Sequence, residues 1–240
     1  TVLDMPNNKP VTMSASSLSE RMKLAEGRVF VNVAFYSAFP KKLREIREII
    51  EVGALAFKLF LGAQIGGINV KDNNQLIQAF TIAKEIGVPV AVHAEDMETI
   101  ENVKERMREA GRDDIEAFLK AHPVEAEVKA IKRIIRLVEK TGVHVHFCHL
   151  SSAAGLKAVS EAKKAGLPIT CEVTPHHLFL TWETLKEDTM AVMVPPLRSK
   201  EDTQALWSAL KEGLIDIIAS DHAPHVLEDK KSPSIWKVKS

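Results

Sequence analysis

Only two cysteines, Cys148 and Cys171, occur in 240 residues, too few for a disulfide framework, and such sparing use fits a reducing cytoplasm. Neither sign of charge is in excess. The 32 basic and 32 acidic side chains cancel, which gives no electrostatic reason to expect nucleic acid or an anionic membrane as partner. No apolar run approaches the ~20 residues of a membrane-spanning helix, and no N-terminal charged-then-apolar segment reads as a signal peptide. A glycine-rich phosphate loop is missing as well: the first apolar segment runs into D-M-P-N-N-K-P. What remains is a chain with 45% apolar residues, enough to bury the core of one large α/β domain or two small ones.

A recurring unit organises it. Amphipathic stretches end at Gly27, Gly53, Gly87, Gly142, Gly166 and Gly213, and a short β-rich run follows each. Glycine suits the position just past a helix end, where the backbone turns left-handed. The mostly apolar runs that follow are what buried parallel strands require. Between them, Val124, Val128, Ile131, Ile135 and Val138 recur at helical spacing, with Lys and Glu on the other face; Leu43, Ile46 and Ile50, and Leu76, Phe80 and Ala83, do the same. About seven strands are expected, near 1–6, 28–36, 56–61, 89–94, 143–149, 168–174 and 215–220.

Alternation of this kind means a parallel sheet with crossover helices. An open doubly wound sheet would place a phosphate loop after its first strand. Here the polar residues instead gather at the C-terminal ends of the strands, where a (β/α)₈ TIM barrel keeps its active site. The expectation is therefore an α/β barrel over residues 1–228 with a tail at 229–240. Eight strands close such a barrel. The eighth is expected before Thr1, where the chain begins without Met in an apolar stretch.

The strand ends carry Asn7, Lys58, His93, His149, Glu172 and Asp221. Singly, each has a plain explanation: a hydrogen-bonded histidine, or Asp221 as a helix N-cap. Lys58 lies between Phe57 and Leu59 in a run that reads as buried, and a buried ammonium must be paired or chemically altered. Imidazole and carboxylate suit zinc-like divalent ions. A neutral amine can take up carbon dioxide as a carbamate, a carboxylate on a long stem able to bridge two cations.

The segments D-M-P-N (4–7), F-K-L-F (57–60), V-H-A-E-D (92–96), C-H-L-S-S (148–152), C-E-V-T-P-H-H-L-F-L (171–180), P-P-L-R (195–198) and S-D-H-A-P-H (220–225) match, in order and spacing, those of a known family. The chain resembles the cyclic amidohydrolases of the metal-dependent hydrolase superfamily, and among them the dihydroorotases more than the allantoinases or dihydropyrimidinases. The resemblance implies two zinc ions, with Lys58 as a carboxylated lysine between them, His93 and His149 as ligands of the second, and Asp221 as ligand of the first and general acid/base. It implies that Asn7 and His225 hold a substrate carboxylate, and that Cys148 and Glu172 bind an extra zinc in some relatives. The implied reaction is reversible hydrolysis of L-dihydroorotate to N-carbamoyl-L-aspartate in pyrimidine synthesis. As partners it leaves a homodimer and a complex with aspartate transcarbamoylase both open.

Several features depart from that pattern. The family's opening H-x-H pair is missing. The only H-x-H here, His144-Val145-His146, is expected to face the helix layer or solvent, because strand alternation points it opposite to His149. Val194 stands where relatives usually carry a polar residue. The tail does not align, and Trp236 and Val238 are expected in a terminal strand, a remnant of a small β-domain. His176 and His177 are read as hydrogen-bonded loop positions, His122 as a helix-start residue and His222 as supporting rather than ligating. Other cyclic amidohydrolases, and a non-catalytic barrel acting as a scaffold for aspartate transcarbamoylase, stand as alternatives.

Overall fold

The computed structural model describes residues 1–185 and 189–239. Among them, seven strands follow one another across a single sheet in chain order. They are β1 (Val2–Asp4), β2 (Val33–Ala38), β3 (Ala56–Phe60), β4 (Val90–His93), β5 (Val145–Phe147), β6 (Ile169–Val173) and β7 (Ile217–Ile218). The β1–β2, β2–β3, β3–β4 and β6–β7 pairs are parallel. The helices are α1 (Ala15–Ala25), α2 (Ile46–Val52), α3 (Asn73–Glu85), α4 (Met97–Glu109), α5 (Ile115–Ala121), α6 (Val124–Thr141), α7 (Ala153–Lys164), α8 (Pro175–Phe179), α9 (Trp182–Leu185), α10 (Lys200–Lys211) and α11 (Leu227–Lys230). A doubly wound sheet reverses its strand order at a switch point. The unbroken order here is that of a β/α barrel, as expected.

All six glycines of the repeated unit have positive φ, from 65° to 125°. At Gly53, φ 125°, the backbone closes α2 and its amide donates to Ile50 O, leaving the chain free to enter β3.

Contacts divide the chain into two compact units. The first comprises Thr1–His93, Arg133–His146 and Gly166–Ile169. Its core is built on Phe39, which stacks on Phe57 at 4.6 Å between ring centroids and lies 6.4 Å from Phe80. Leu76, Phe80 and Ala83 are buried, which bears out that helical spacing, whereas beside Ile46 it is Ile49 that is buried, with Leu43 and Ile50 only half-buried. The second strand was expected at 28–36 and runs instead from Val33 to Ala38. The reason is local: the Arg28 amide folds back onto Ala25 O, and Val29, Phe30 and Val31 remain exposed in a turn, apolar by composition but outside the ladder.

The second unit comprises Ala94–Lys132, Phe147–Ala165 and Thr170–Ser240. Its shortest strand, β7, pairs Glu172 with Ile217 and Val173 with Ile218. Just before it, Asp216 accepts the Cys171 amide at 2.8 Å and the Lys163 ammonium at 2.7 Å, while the same ammonium donates to Leu214 O at 2.7 Å. Burial alone would raise the Asp216 carboxyl. The Lys163 and Cys171 bonds outweigh that and hold it below the usual carboxylate range.

The tail corrects another expectation. Ile235–Lys237 forms a 3₁₀ turn rather than a strand. Ile235 and Val238 are buried with Phe118 and Val192, and Trp236 packs beside them with its indole N–H on Arg112 O at 3.1 Å. Val194 packs against the same cluster, so its apolar side chain is used in a core.

Candidate active site

In the first unit, β3 is buried along its first four residues, so its side chains meet protein on both faces. Lys58 and Phe60 are two residues apart and therefore project to one side. Register places Phe60 opposite His93 and Lys58 opposite Ala91, which sets Lys58 and His93 on the same face of adjacent strands. The Lys58 ammonium lies 5.2 Å from the Phe60 ring centroid, and the Phe60 and His93 rings are 6.2 Å apart. Lys58 is 2% exposed, the burial anticipated from its apolar neighbours. Asn7 sits three residues beyond the end of β1 and is exposed. The loop around it is tied down by Asn8, which donates to Met5 O and accepts from the Thr12 hydroxyl.

In the second unit, Cys148 and His149 leave the end of β5, and Glu172 projects from β6. The ligand atoms of Cys148 and Glu172 lie within 4.8 Å of each other. His146 is one strand step before Cys148 and shares its side of β5. It is buried, whereas His144 is exposed; only His144 reaches solvent.

His149 has φ 37°, a left-handed conformation uncommon outside glycine. The amides that follow are held in sequence. Glu172 Oε1 accepts His149 N–H at 3.2 Å and Glu172 O accepts Leu150 N–H at 2.9 Å. Glu127 Oε1 accepts Ser151 N–H at 2.8 Å and the Ser151 hydroxyl at 3.1 Å. Glu127 comes from the first turn of α6 and is 2% exposed. The helical spacing places the acidic and basic residues of α6 on an outer face. The buried stripe is rotated from that reading and runs through Ala126, Ala130, Ile134 and Leu137 as well as Ile131 and Val138, which draws Glu127 inward.

Asp221 also has positive φ, 47°. It caps no helix: the next helix, α11, begins at Leu227 with Val226 as its N-cap. The side chain is exposed, and its charge acts on the His176 imidazole, whose pKa is lowered by burial and partly restored by Asp221. His225 lies 3.5 Å from Asp229, and its Nε2 is buried with no hydrogen-bond partner among the described residues.

His176 and His177 stand in the short helix α8 rather than in a loop. His177 accepts from the Thr174 hydroxyl at Nδ1 (2.7 Å) and donates from Nε2 to Pro195 O (3.2 Å), so both nitrogens are used when the ring is neutral. Burial, then the neighbouring His176, holds its pKa down to about 3. His122 closes α5 rather than starting a helix, and its Nδ1 lies 3.2 Å from the buried Glu95.

Comparison with known proteins places these residues in context. The model of the amidohydrolase family matches residues 14–237. The chain is 36% identical over 231 residues to a dihydroorotase of Fusobacterium nucleatum, covering 96% of this chain and 53% of the relative. It is 33% identical over 225 residues to an allantoinase of Solibacter usitatus, covering 92% and 49%. Among solved structures, the L-hydantoinase (dihydropyrimidinase) of Arthrobacter aurescens superposes with a TM-score of 0.92 at 31% identity, covering 99% of this chain and 54% of that one. The chain thus spans about half the length of the curated relatives it matches.

Proposed function

The chain belongs to the amidohydrolase family, and from that footing we propose that its protein is a zinc-dependent cyclic amide hydrolase acting on L-dihydroorotate. One observation carries the reading: a lysine buried to 2% exposure in the middle of β3 shares a face with His93, which stands at the C-terminal edge of the adjacent parallel strand β4. That edge is where barrel enzymes assemble their chemistry.

The donors fit zinc-like ions. His93 and His149 offer imidazole nitrogens and Asp221 a carboxylate, and Lys58, as a carbamate, would add a second carboxylate without a polar strand neighbour to supply it. Two such ions, when bound, lower the pKa of water and polarise a carbonyl. The chain's own residues then have distinct tasks. Asp221, exposed and set on a left-handed turn, takes a proton from the attacking water and returns it to the leaving ring nitrogen. Asn7 and His225 orient the ring through its carboxylate: with Nδ1 turned to Asp229, the buried Nε2 of His225 donates to that anion when the imidazole carries both protons. Dihydroorotate carries that carboxylate, and the substrates of allantoinases and dihydropyrimidinases do not. Cys148 and Glu172 are candidates for an extra zinc.

The same reading takes residues 1–228 as barrel and 229–240 as appended tail, a cytoplasmic setting from cysteine usage, and a homodimer or an aspartate transcarbamoylase complex as assemblies to test. No helix among the described residues is long and apolar enough to cross a membrane.

The test uses the intact protein. Metal content is measured per chain, and turnover is followed on dihydroorotate, hydantoin and allantoin with zinc supplied. The expected result is about two ions, preference for dihydroorotate, and a fall of at least about 100-fold in kcat for Asp221→Ala. Preference for hydantoin or allantoin would move the substrate within the family. Absence of both metal and turnover would favour a scaffold.

A further inference from the structure

We propose that Glu127 is a positioning residue whose carboxylate sets the turn that presents His149. The proposal rests on the reading of His149 as a working ligand of a hydrolase, and the geometry around it is independent of that reading.

A left-handed histidine is held only if its surroundings fix it. Glu172 secures the amides of residues 149 and 150, and Glu127 takes over at 151. Both Glu127 oxygens are spent on this turn. Oε1 accepts from the amide and hydroxyl of Ser151, and Oε2 accepts from the Ser152 hydroxyl. That hydroxyl accepts the Gly155 amide at 3.0 Å and so caps α7. From the other side, Arg198 Nε donates to the Ser151 hydroxyl at 3.0 Å, and its Nη1 donates to His122 O at 2.6 Å. The serine pair is therefore gripped between a buried carboxylate and a buried guanidinium.

A second observation shows that room is kept for the carboxylate. A Cβ at Gly155 would come within 2.9 Å of Glu127 Oε2 and 3.0 Å of its Cδ. The helix gives up a side chain at this place so that the acid can reach the serines. Burial raises the Glu127 pKa, against which the Arg198 charge and the serine hydrogen bonds act. An ordinary buried polar group would be expected to serve stability alone. This one is aimed at a loop two residues past the histidine, and outer partners of that kind govern how a ligand is presented.

The experiment compares wild type, Glu127→Gln and Ser151→Ala in the intact protein, reading hydrogen exchange of the peptide carrying 147–153, zinc affinity, and kcat and KM on dihydroorotate. The glutamine keeps one acceptor and loses the charge. Faster exchange confined to 147–153 is expected, together with a loss of about 10–100-fold in kcat or zinc affinity and KM within about twofold of wild type. Unchanged exchange in that peptide, or faster exchange spread equally over the whole protein, overturns the proposal, the latter because it reports general destabilisation. If Glu127→Gln does not fold, Ser151→Ala decides by the same criteria, since it leaves the cap of α7 intact. A wild type that turns over no cyclic amide refutes the hydrolase reading, and the exchange data still decide whether Glu127 sets the turn.

Discussion

His177 gives a quantitative handle on the packing behind the candidate site. Its ring is 3% exposed, neutral, and hydrogen-bonded at both nitrogens. Its folded pKa is about 3, against 6.5 for an unperturbed histidine. The depressed value means that the unfolded chain binds a proton in a pH range where the folded chain does not. Stability from this group is therefore complete above pH 6.5 and is lost as pH falls toward 3. The loss amounts to about 1.4 kcal/mol at pH 5.5 and about 2.7 kcal/mol at pH 4.5, from one proton and 1.36 kcal/mol per pH unit. His177→Gln keeps a donor for Pro195 O and an acceptor for the Thr174 hydroxyl but has no proton to gain. Urea unfolding of both proteins at pH 7.5, 5.5 and 4.5 isolates the term, because every other titrating group is common to the pair. The wild-type minus variant difference should shift against the wild type by about 1.4 kcal/mol per pH unit below 6.5. Parallel curves would refute the account, because they would mean that the ring is protonated in the folded state without penalty.

Other outcomes follow from the geometry. Gly155→Ala gains helix propensity of about 1 kcal/mol but forces its Cβ onto the Glu127 carboxylate at 2.9 Å. A net destabilisation of about 1–3 kcal/mol is expected in urea melts, and an alanine variant as stable as wild type would count against the contact. Cys171 is fully buried, with its thiol pushed up to about 12, first by burial. Iodoacetamide at pH 8 should leave it unlabelled in the native protein and label it rapidly in urea, as followed by mass spectrometry. Rapid native labelling would contradict the packing around β6.

The sequence made the fold readable because its two strongest signals are local. Glycine past a helix end and an apolar run after it depend on a few consecutive residues, and all six glycines take positive φ. Burial and strand position of Lys58 were equally local, set by Phe57 and Leu59. Where the reading failed, the deciding interaction lay elsewhere in the chain. Val29, Phe30 and Val31 have strand composition but stay outside the ladder. Trp236 and Val238 are apolar for the sake of Phe118, more than a hundred residues away in sequence. Helical spacing puts Glu127 on a solvated face because its partners, Ser151 and Ser152, lie outside the helix. For His146, the alternation that turns it away from His149 also sets it on the side of Cys148, two residues on. His122 closes α5 beside Glu95, a partner 27 residues away that no neighbouring residue reveals. The candidate ligands themselves came from the order of short motifs rather than from any one segment.

The aspartate ahead of β7 has a bearing on alignment between strands. A ladder of two residue pairs is too brief to choose its own phase, and a shift of one position would leave the main-chain hydrogen bonds nearly as good while turning each side chain to the opposite surface. Asp216 removes that freedom. Only in the observed phase can one carboxylate meet both the Cys171 amide and the Lys163 ammonium. An ionic key thus fixes which way Ile217 and Ile218 face against β6, the strand whose Glu172 holds the amide of His149.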